Sequence, residues 1–397
     1  MRNLLLAAVL LAPALAFGQM TTPPIARKVP KVFKEHGRER VDQYYWLSNA
    51  ADSNVLAHLR AENAYVDAYM QPTTDLRRKL QDELVARIPG RDQSLPMLRN
   101  GYWYYSRFEA GKQYPLSLRR KDGTEGEEVL LDQPELAKAY KYFNVRGTAI
   151  APDNRNYAYG VDTAGDRRCL LLVKDLSSGS VLPERISNTT GNYAWSLDSR
   201  YLFYVLNDYT VRGYKLMRHR LGADPATDNE LFTERDSTYR IRISRAQDGR
   251  YIFLTSSSTN STEVYYIDAA RPEAAPVLVQ PRTEGVEYSV DYYEGDRFHI
   301  LTNKGAKNFR IVTAPISNPS IGNWTELVAG SDKTFIEGFE ILKNYYVLQA
   351  RENGLTEVKI YDRKAKKWSN LPFGQEDYVA RMYLATDRFD SDSIRYV

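Results

Sequence analysis

The chain has 397 residues, and a composition that is 43% hydrophobic and 26% charged supports a large buried core and excludes intrinsic disorder. Its 54 basic and 50 acidic side chains leave a formal charge of +4, too even a balance to form an electrostatic footprint for nucleic acid or an anionic membrane. A single cysteine, Cys169, excludes intramolecular disulfides, and 30 tyrosines against 13 phenylalanines and 5 tryptophans favour an all-β chain, because the ring fits a pleated face while the hydroxyl stays solvated.

Arg2, the apolar run over residues 4–17 and the small residues Ala14-Leu15-Ala16 read as a secretory signal peptide occupying 1–19. The run is shorter than the roughly 20 residues that cross a bilayer, and Pro13 interrupts it. Cleavage near Ala16 to Gln19 predicts a soluble periplasmic or secreted chain. No cysteine follows the run to carry a lipid, and no second segment reaches membrane-spanning length.

Residues 20–96 read as a helical amino-terminal extension. Over 43–88 apolar residues such as Leu56, Leu59, Tyr65, Tyr69, Leu76, Leu80 and Leu84 recur at three- and four-residue spacing. Asp52 or Ser53 can cap one helix, Pro72-Thr73-Thr74 separates it from the next, and Pro89-Gly90 closes the region.

From 97 to 397 the helical period disappears. The runs at 102–105, 157–159, 201–204, 251–254, 298–301 and 345–348 each follow a turn rich in Asn, Asp, Ser or Gly, and they recur about every 50 residues. Each unit adds a further strand, such as 169–173, 264–267 or 358–361. The pattern predicts four-stranded blades and a seven-bladed β-propeller, with six blades clear and a seventh, after Pro372, incomplete. Radial closure leaves only short strand edges, whereas an open array of sheets exposes long ones.

Asp42-Gln43-Tyr44-Tyr45-Trp46-Leu47 resembles the Asp-Pro-Tyr-x-Trp-Leu motif of the prolyl oligopeptidase family, with Gln43 where the family has proline. Residues 100–123 (NGYWYYSRFEAGKQYPLSLRRKDG) are similar to that family's first blade. Residues 151–179, 296–316 and 352–362 are similar to its later blades. The resemblance covers 24–397 and is strongest to the oligopeptidase B branch. It implies a propeller covering an α/β-hydrolase domain whose catalytic serine, aspartate and histidine lie carboxy-terminal to the blades. That domain is expected to be absent from this chain, as the propeller half of a longer reading frame.

The residues themselves agree with a non-catalytic reading. A hydrolase of that class needs Gly-x-Ser-x-Gly, a sharp turn that exposes the serine, and this pentapeptide does not occur. Ser177-Ser178-Gly179-Ser180 and Gly330-Ser331-Asp332 read as blade turns. His36, His58, His219 and His299 lack metal-ligand spacing and read as structural or solvated. Asp387, Asp390 and Asp392 resemble a loose calcium loop, but without its glycine or bidentate glutamate they read as a turn. Arg119-Arg120-Lys121 and Arg363-Lys364-Ala365-Lys366-Lys367 read as solvated loops, and Cys169 as a buried thiol. No catalytic, cofactor-binding or metal-binding residue is assigned, and no cofactor is called for.

The resemblance implies hydrolysis of short peptides after Arg or Lys through an acyl-enzyme, with the propeller excluding folded proteins by size and the helices packing on the catalytic domain. The partners are then short peptides and that domain, with no nucleic acid and no membrane span. The alternative is a stand-alone secreted propeller that binds a ligand without catalysis. A propeller glycosidase would require paired carboxylates lining the channel.

Overall fold

The computed structural model describes residues 22–374, 378–384 and 386–397. The segment read as a signal peptide lies outside the described residues. The chain divides into two compact units, Met1–Pro89 and Gly90–Val397.

The first unit opens with a hairpin that the charged sequence hid, Lys31–Glu35 paired with Arg38–Asp42. Its two-residue turn, His36 at φ 55° and Gly37 at φ 72°, has the positive φ at both positions that matches the twist of paired strands. Two helices follow, α1 (Ser53–Met70) and α2 (Thr74–Ala86). Asp52 caps α1 by accepting the Asn54 N–H at 2.8 Å, satisfying one of the donors that a helix start leaves free. Pro72 sits in the single 3-10 turn between them. Leu76, Leu80 and Leu84 lie on the outside of α2, the last 62% exposed.

The second unit is the propeller. Blade 1 is built from Met97–Arg99, Tyr102–Phe108, Leu116–Lys121 and Glu127–Asp132, with Asp92–Gln93 added beside Tyr102–Phe108. Blade 4 is Arg240–Arg245, Tyr251–Ser257, Thr262–Asp268 and Val277–Gln280; blade 5 is Tyr288–Asp291, Arg297–Thr302, Arg310–Pro315 and Thr325–Val328. Blade 6 is Thr334–Ile341, Tyr345–Glu352, Leu355–Asp362 and Lys367–Asn370. All are antiparallel.

Blades 2 and 3 share a strand. Ile186–Trp195 pairs through Ile186 and Thr189 with Cys169–Asp175, the third strand of blade 2, and through Tyr193 to Trp195 with Tyr201–Asn207 of blade 3. The two blades therefore form one seven-stranded sheet. This needs close backbone approach: a Cβ on Gly147 would fall 1.6 Å from the Gly191 carbonyl oxygen, and both glycines have positive φ.

The repeating turn explains the repeating sequence. Asp153, Asp198 and Asp248 each accept the N–H of the arginine two residues on, at 2.9, 3.1 and 2.9 Å. Between them Asn154, Ser199 and Gly249 hold φ near +60 to +76°.

The core sits between blades. Leu202 and Tyr204 pack back toward blade 2 with Ala158, Leu171 and Trp195, while Phe203 and Val205 pack forward on Ile241, Ile243 and Leu254 of blade 4, the two-residue period of a strand buried on both faces. Blades 4 and 5 meet at Tyr251, Phe253, Val264, Phe298 and Ile300. Blade 7 has two described strands, Met382–Leu384 and Ile394–Tyr396. It reaches blade 1 through the Asp387 N–H on the Leu98 carbonyl at 3.1 Å and the Asn100 N–H on Asp387 Oδ2 at 2.9 Å, which closes the ring.

Candidate functional site

Where blades converge, the first strand of blade 4 meets the strand that opens blade 3, the Ile243 N–H donating to Asn192 Oδ1, and Leu98 in the first strand of blade 1 bridges to Thr386 of blade 7. The first strands therefore surround the axis, and their side chains at this inner edge form the candidate site.

The ends of these strands carry carboxylates. Asp291 ends the first strand of blade 5, Glu340 lies near the end of that of blade 6, and Asp248 lies in the turn that follows that of blade 4. Asp291 accepts the Tyr292 N–H at 2.7 Å and stands opposite His299 in the strand register. Tyr293 is buried beside them, edge-on to His299 with centroids 5.3 Å apart and 6.2 Å from the Phe339 ring of blade 6.

Burial dominates the electrostatics. It raises the Asp291 carboxyl to about 7, helped by the charge of Asp248, and the Glu340 carboxyl to about 7, helped by the charge of Asp291. The Tyr293 hydroxyl is held well above its usual range, first by burial and then by Asp291 and Glu340. His299 is pushed down to about 4 by burial and by the cations Arg363 and Arg297. Arg245, at the end of the first strand of blade 4, is lowered by burial and raised by Asp248 and Asp387. Burial and mutual repulsion hold two of these three carboxyls back from ionising, and a cation placed beside them would draw the protons off and pair with the charge released.

The residues singled out in the sequence are scattered. Ser177 and Ser178 close the turn after the third strand of blade 2 around Asp175, and Gly330 to Asp332 connect blades 5 and 6. His36 is in the first hairpin, and His58 on α1 lies 3.6 Å from Glu62. His219 is fully buried, its Nδ1 2.7 Å from Asp228 Oδ1, whose other oxygen accepts the Tyr204 hydroxyl at 2.8 Å. That pair has the geometry of a catalytic dyad, but with no exposed surface it fixes two neighbouring strands.

Asp387, Asp390 and Asp392 do not converge: Asp387 closes the ring, Asp390 pairs with Arg388 at 3.1 Å, and Asp392 reaches Asn344 at 3.5 Å. Among the described residues no group of three or more His, Cys, Asp or Glu side chains is placed to hold a metal ion, and no helix is long and apolar enough to cross a membrane. Cys169 is buried, and burial raises its thiol to about 11.

Arg119 departs from the solvated-loop reading. It lies in a strand at 5% exposure, pairs with Glu128 at 2.6 Å, donates to the Asn154 carbonyl at 2.7 Å and stacks 4.3 Å from the Tyr102 ring, so it joins blade 1 to blade 2. The carboxylates Asp291 and Glu340 were not found from sequence. Their only signal was position at the ends of first strands.

Residues 23–397 match the family model described as prolyl oligopeptidase, N-terminal beta-propeller domain. A dipeptidyl aminopeptidase BI of Pseudoxanthomonas mexicana is 38% identical across 99% of this chain and 57% of the relative, and a protease 2 of Moraxella lacunata is 32% identical across 84% and 49%. Oligopeptidase B from Leishmania major superposes with a TM-score of 0.87 at 26% identity, over 94% of this chain and 57% of that one. The chain thus spans about half the length of the curated relatives it matches. With the blades, the shared strand and the closing contacts in place over that whole match, the chain belongs to the prolyl oligopeptidase family and carries its N-terminal β-propeller.

Proposed function

We propose that the chain is the substrate-gating propeller of an oligopeptidase B-like serine endopeptidase, acting on short peptides after Arg or Lys together with an α/β-hydrolase domain whose residues are not in this sequence. The observation that carries this reading is the superposition on oligopeptidase B over 94% of this chain but 57% of the other, which leaves that protein a large part with no counterpart here. The ring restricts access, because a channel bounded by first strands admits an extended peptide and excludes a folded domain. Asp248, Asp291 and Glu340 at its rim support a preference for cationic peptides. The outward leucines of α2 give the catalytic domain an apolar face to cover. The signal-peptide reading puts the protein in the periplasm or outside the cell.

The similarity to a dipeptidyl aminopeptidase over 99% of the chain favours a second reading, release of amino-terminal dipeptides. The same acidic rim would then receive the peptide's α-ammonium group.

The test is to purify the native gene product, determine its mass and amino-terminal residue, and assay peptides containing Arg or Lys with free and with blocked amino termini. Cleavage of the blocked peptides supports the endopeptidase, and cleavage of the free ones alone supports the dipeptidyl enzyme. A native product with the mass of the mature chain and no turnover removes both and leaves the stand-alone binding propeller. An amino terminus at Met1 in the cytoplasm would overturn the export reading.

A further inference from the structure

The first strand of blade 4 reads Arg240-Ile241-Arg242-Ile243-Ser244-Arg245. Ile241 and Ile243 enter the core shared with blade 3, so Arg240 and Arg242 fall together on the opposite face, about 7 Å apart along the strand. Their register partners on the second strand are hydroxyl residues, Ser257 opposite Arg240 and Thr255 opposite Arg242. These four residues line a cavity of about 770 Å³ together with Thr238 and Thr259. Among the described residues no carboxylate lines it.

The neighbouring arginines are already neutralised. Arg212 pairs with Asp208 at 2.8 Å, and Arg282 pairs with Glu234 at 2.7 Å and Glu263 at 3.2 Å. Arg240 and Arg242 are exposed and, among the described residues, have no ion pair. Two guanidiniums on one strand face, backed by hydroxyl donors and with no carboxylate among the described residues lining their cavity, form a receptor for a planar anion, since a guanidinium meets a carboxylate through two parallel hydrogen bonds. The Asn192 side chain on the Ile243 N–H tethers the strand that bears them to blade 3, so the pair is presented from a fixed backbone.

We propose that this pocket binds a peptide carboxylate, with Arg240 and Arg242 as its two cationic contacts. That the carboxylate belongs to a peptide rests on the peptidase reading above. It comes from a carboxy terminus or from an Asp or Glu side chain.

The purified chain is titrated, by fluorescence anisotropy, with an amino-terminally labelled peptide bearing a free carboxy terminus, with its carboxamide, and with a carboxamide carrying one internal Glu. The free acid should bind about tenfold or more tighter than the plain carboxamide, and added salt should narrow the gap. Recovery of binding by the Glu peptide assigns the site to side-chain carboxylates as well; a failure to recover restricts it to the terminus, and either supports the pocket. R240Q/R242Q should abolish the difference at an unchanged thermal midpoint, while R240K/R242K should retain part of it.

Equal binding of acid and carboxamide overturns the inference and leaves the peptide reading standing. So does an undiminished difference in R240Q/R242Q. Displacement by inorganic phosphate at the concentrations where acetate displaces overturns it too, by showing a general anion site. Absence of binding by any of the peptides also overturns it, whereas the function itself is decided separately, by turnover of the native product.

Discussion

Asp291, Glu340 and His299 set how the stability of the propeller responds to pH. Burial raises the two carboxyls from ordinary values of 3.8 and 4.5 to about 7, so between about pH 5 and 7 the folded state keeps two protons that the unfolded chain has released. Stability from these groups is fully present at low pH and is lost as the pH rises through 7. His299 acts in the opposite sense: lowered from 6.5 to about 4, it stays neutral in the fold while the unfolded imidazole takes up a proton, so its contribution improves with pH up to 6.5. The folded state therefore holds one net proton more between about pH 5 and 6.5, and stability falls there by about 1.4 kcal/mol per pH unit. Asp248, also raised by burial, adds to the fall, whereas depressed carboxyls such as Asp175 and Asp208 titrate below 3.8 and stay outside the window.

The assay is urea unfolding at pH 5, 6 and 7 followed by tryptophan emission, which is weighted to the propeller because four of the five tryptophans, Trp103, Trp195, Trp324 and Trp368, lie in it and Trp46 lies in the first unit. The wild-type midpoint should decline across the series. In D291N/E340Q the two protons are gone and the decline should disappear, with a gain in stability at pH 7. A wild-type midpoint that is flat or rises from pH 5 to 7, or a double variant that keeps the decline, refutes the reasoning.

Phe298→Ala should cost about 3–5 kcal/mol in the same unfolding experiment, since the ring is fully buried and packs edge-on against Tyr251, Phe253 and Tyr266 at 5.0 to 5.5 Å across the seam of blades 4 and 5; Phe298→Leu should cost less. Gly147→Ala should prevent accumulation of folded protein, because its Cβ meets the Gly191 carbonyl; a soluble variant with native circular dichroism would contradict the packing described. Cys169 should resist iodoacetamide at pH 8 in the native state and react completely in urea, as measured by mass, because it is buried and its thiol lies at about 11.

The repeat was legible because each turn carries its own chemistry. Asp153, Asp198 and Asp248 capture their turns with the side chain, and the tyrosine-rich strands that follow need no information from elsewhere. The Lys31–Glu35 hairpin was not legible, since its strands are mostly charged, Val32 and Val41 form their one apolar cross-strand pair, and only His36-Gly37 marks the turn. Nor could the sequence show blades 2 and 3 joined, because the bend at Gly191 reads as an ordinary break between strands. Arg119 looked like a surface charge until the fold brought Asn154 from the next blade onto it. Asp291 and Glu340 are separated by a whole blade repeat in sequence; only the ring brings them near each other, and only burial there changes what they are chemically.

The same strand of blade 4 connects the two charge centres. Arg240 and Arg242 stand at its start, and Asp248 follows its end in the turn, with Asp291 and Glu340 at the corresponding ends of blades 5 and 6. A six-residue strand spans roughly 20 Å, so cation and anion sites are separated by about the length of an extended hexapeptide. On the two proposals above, a peptide entering the ring meets guanidiniums at one end and carboxylates at the other. Its own carboxylate and cationic groups then fix its direction before any catalytic residue is reached, and direction decides which bond is presented. Under those proposals, charge polarity along the axis would orient the peptide, which a size filter alone does not do.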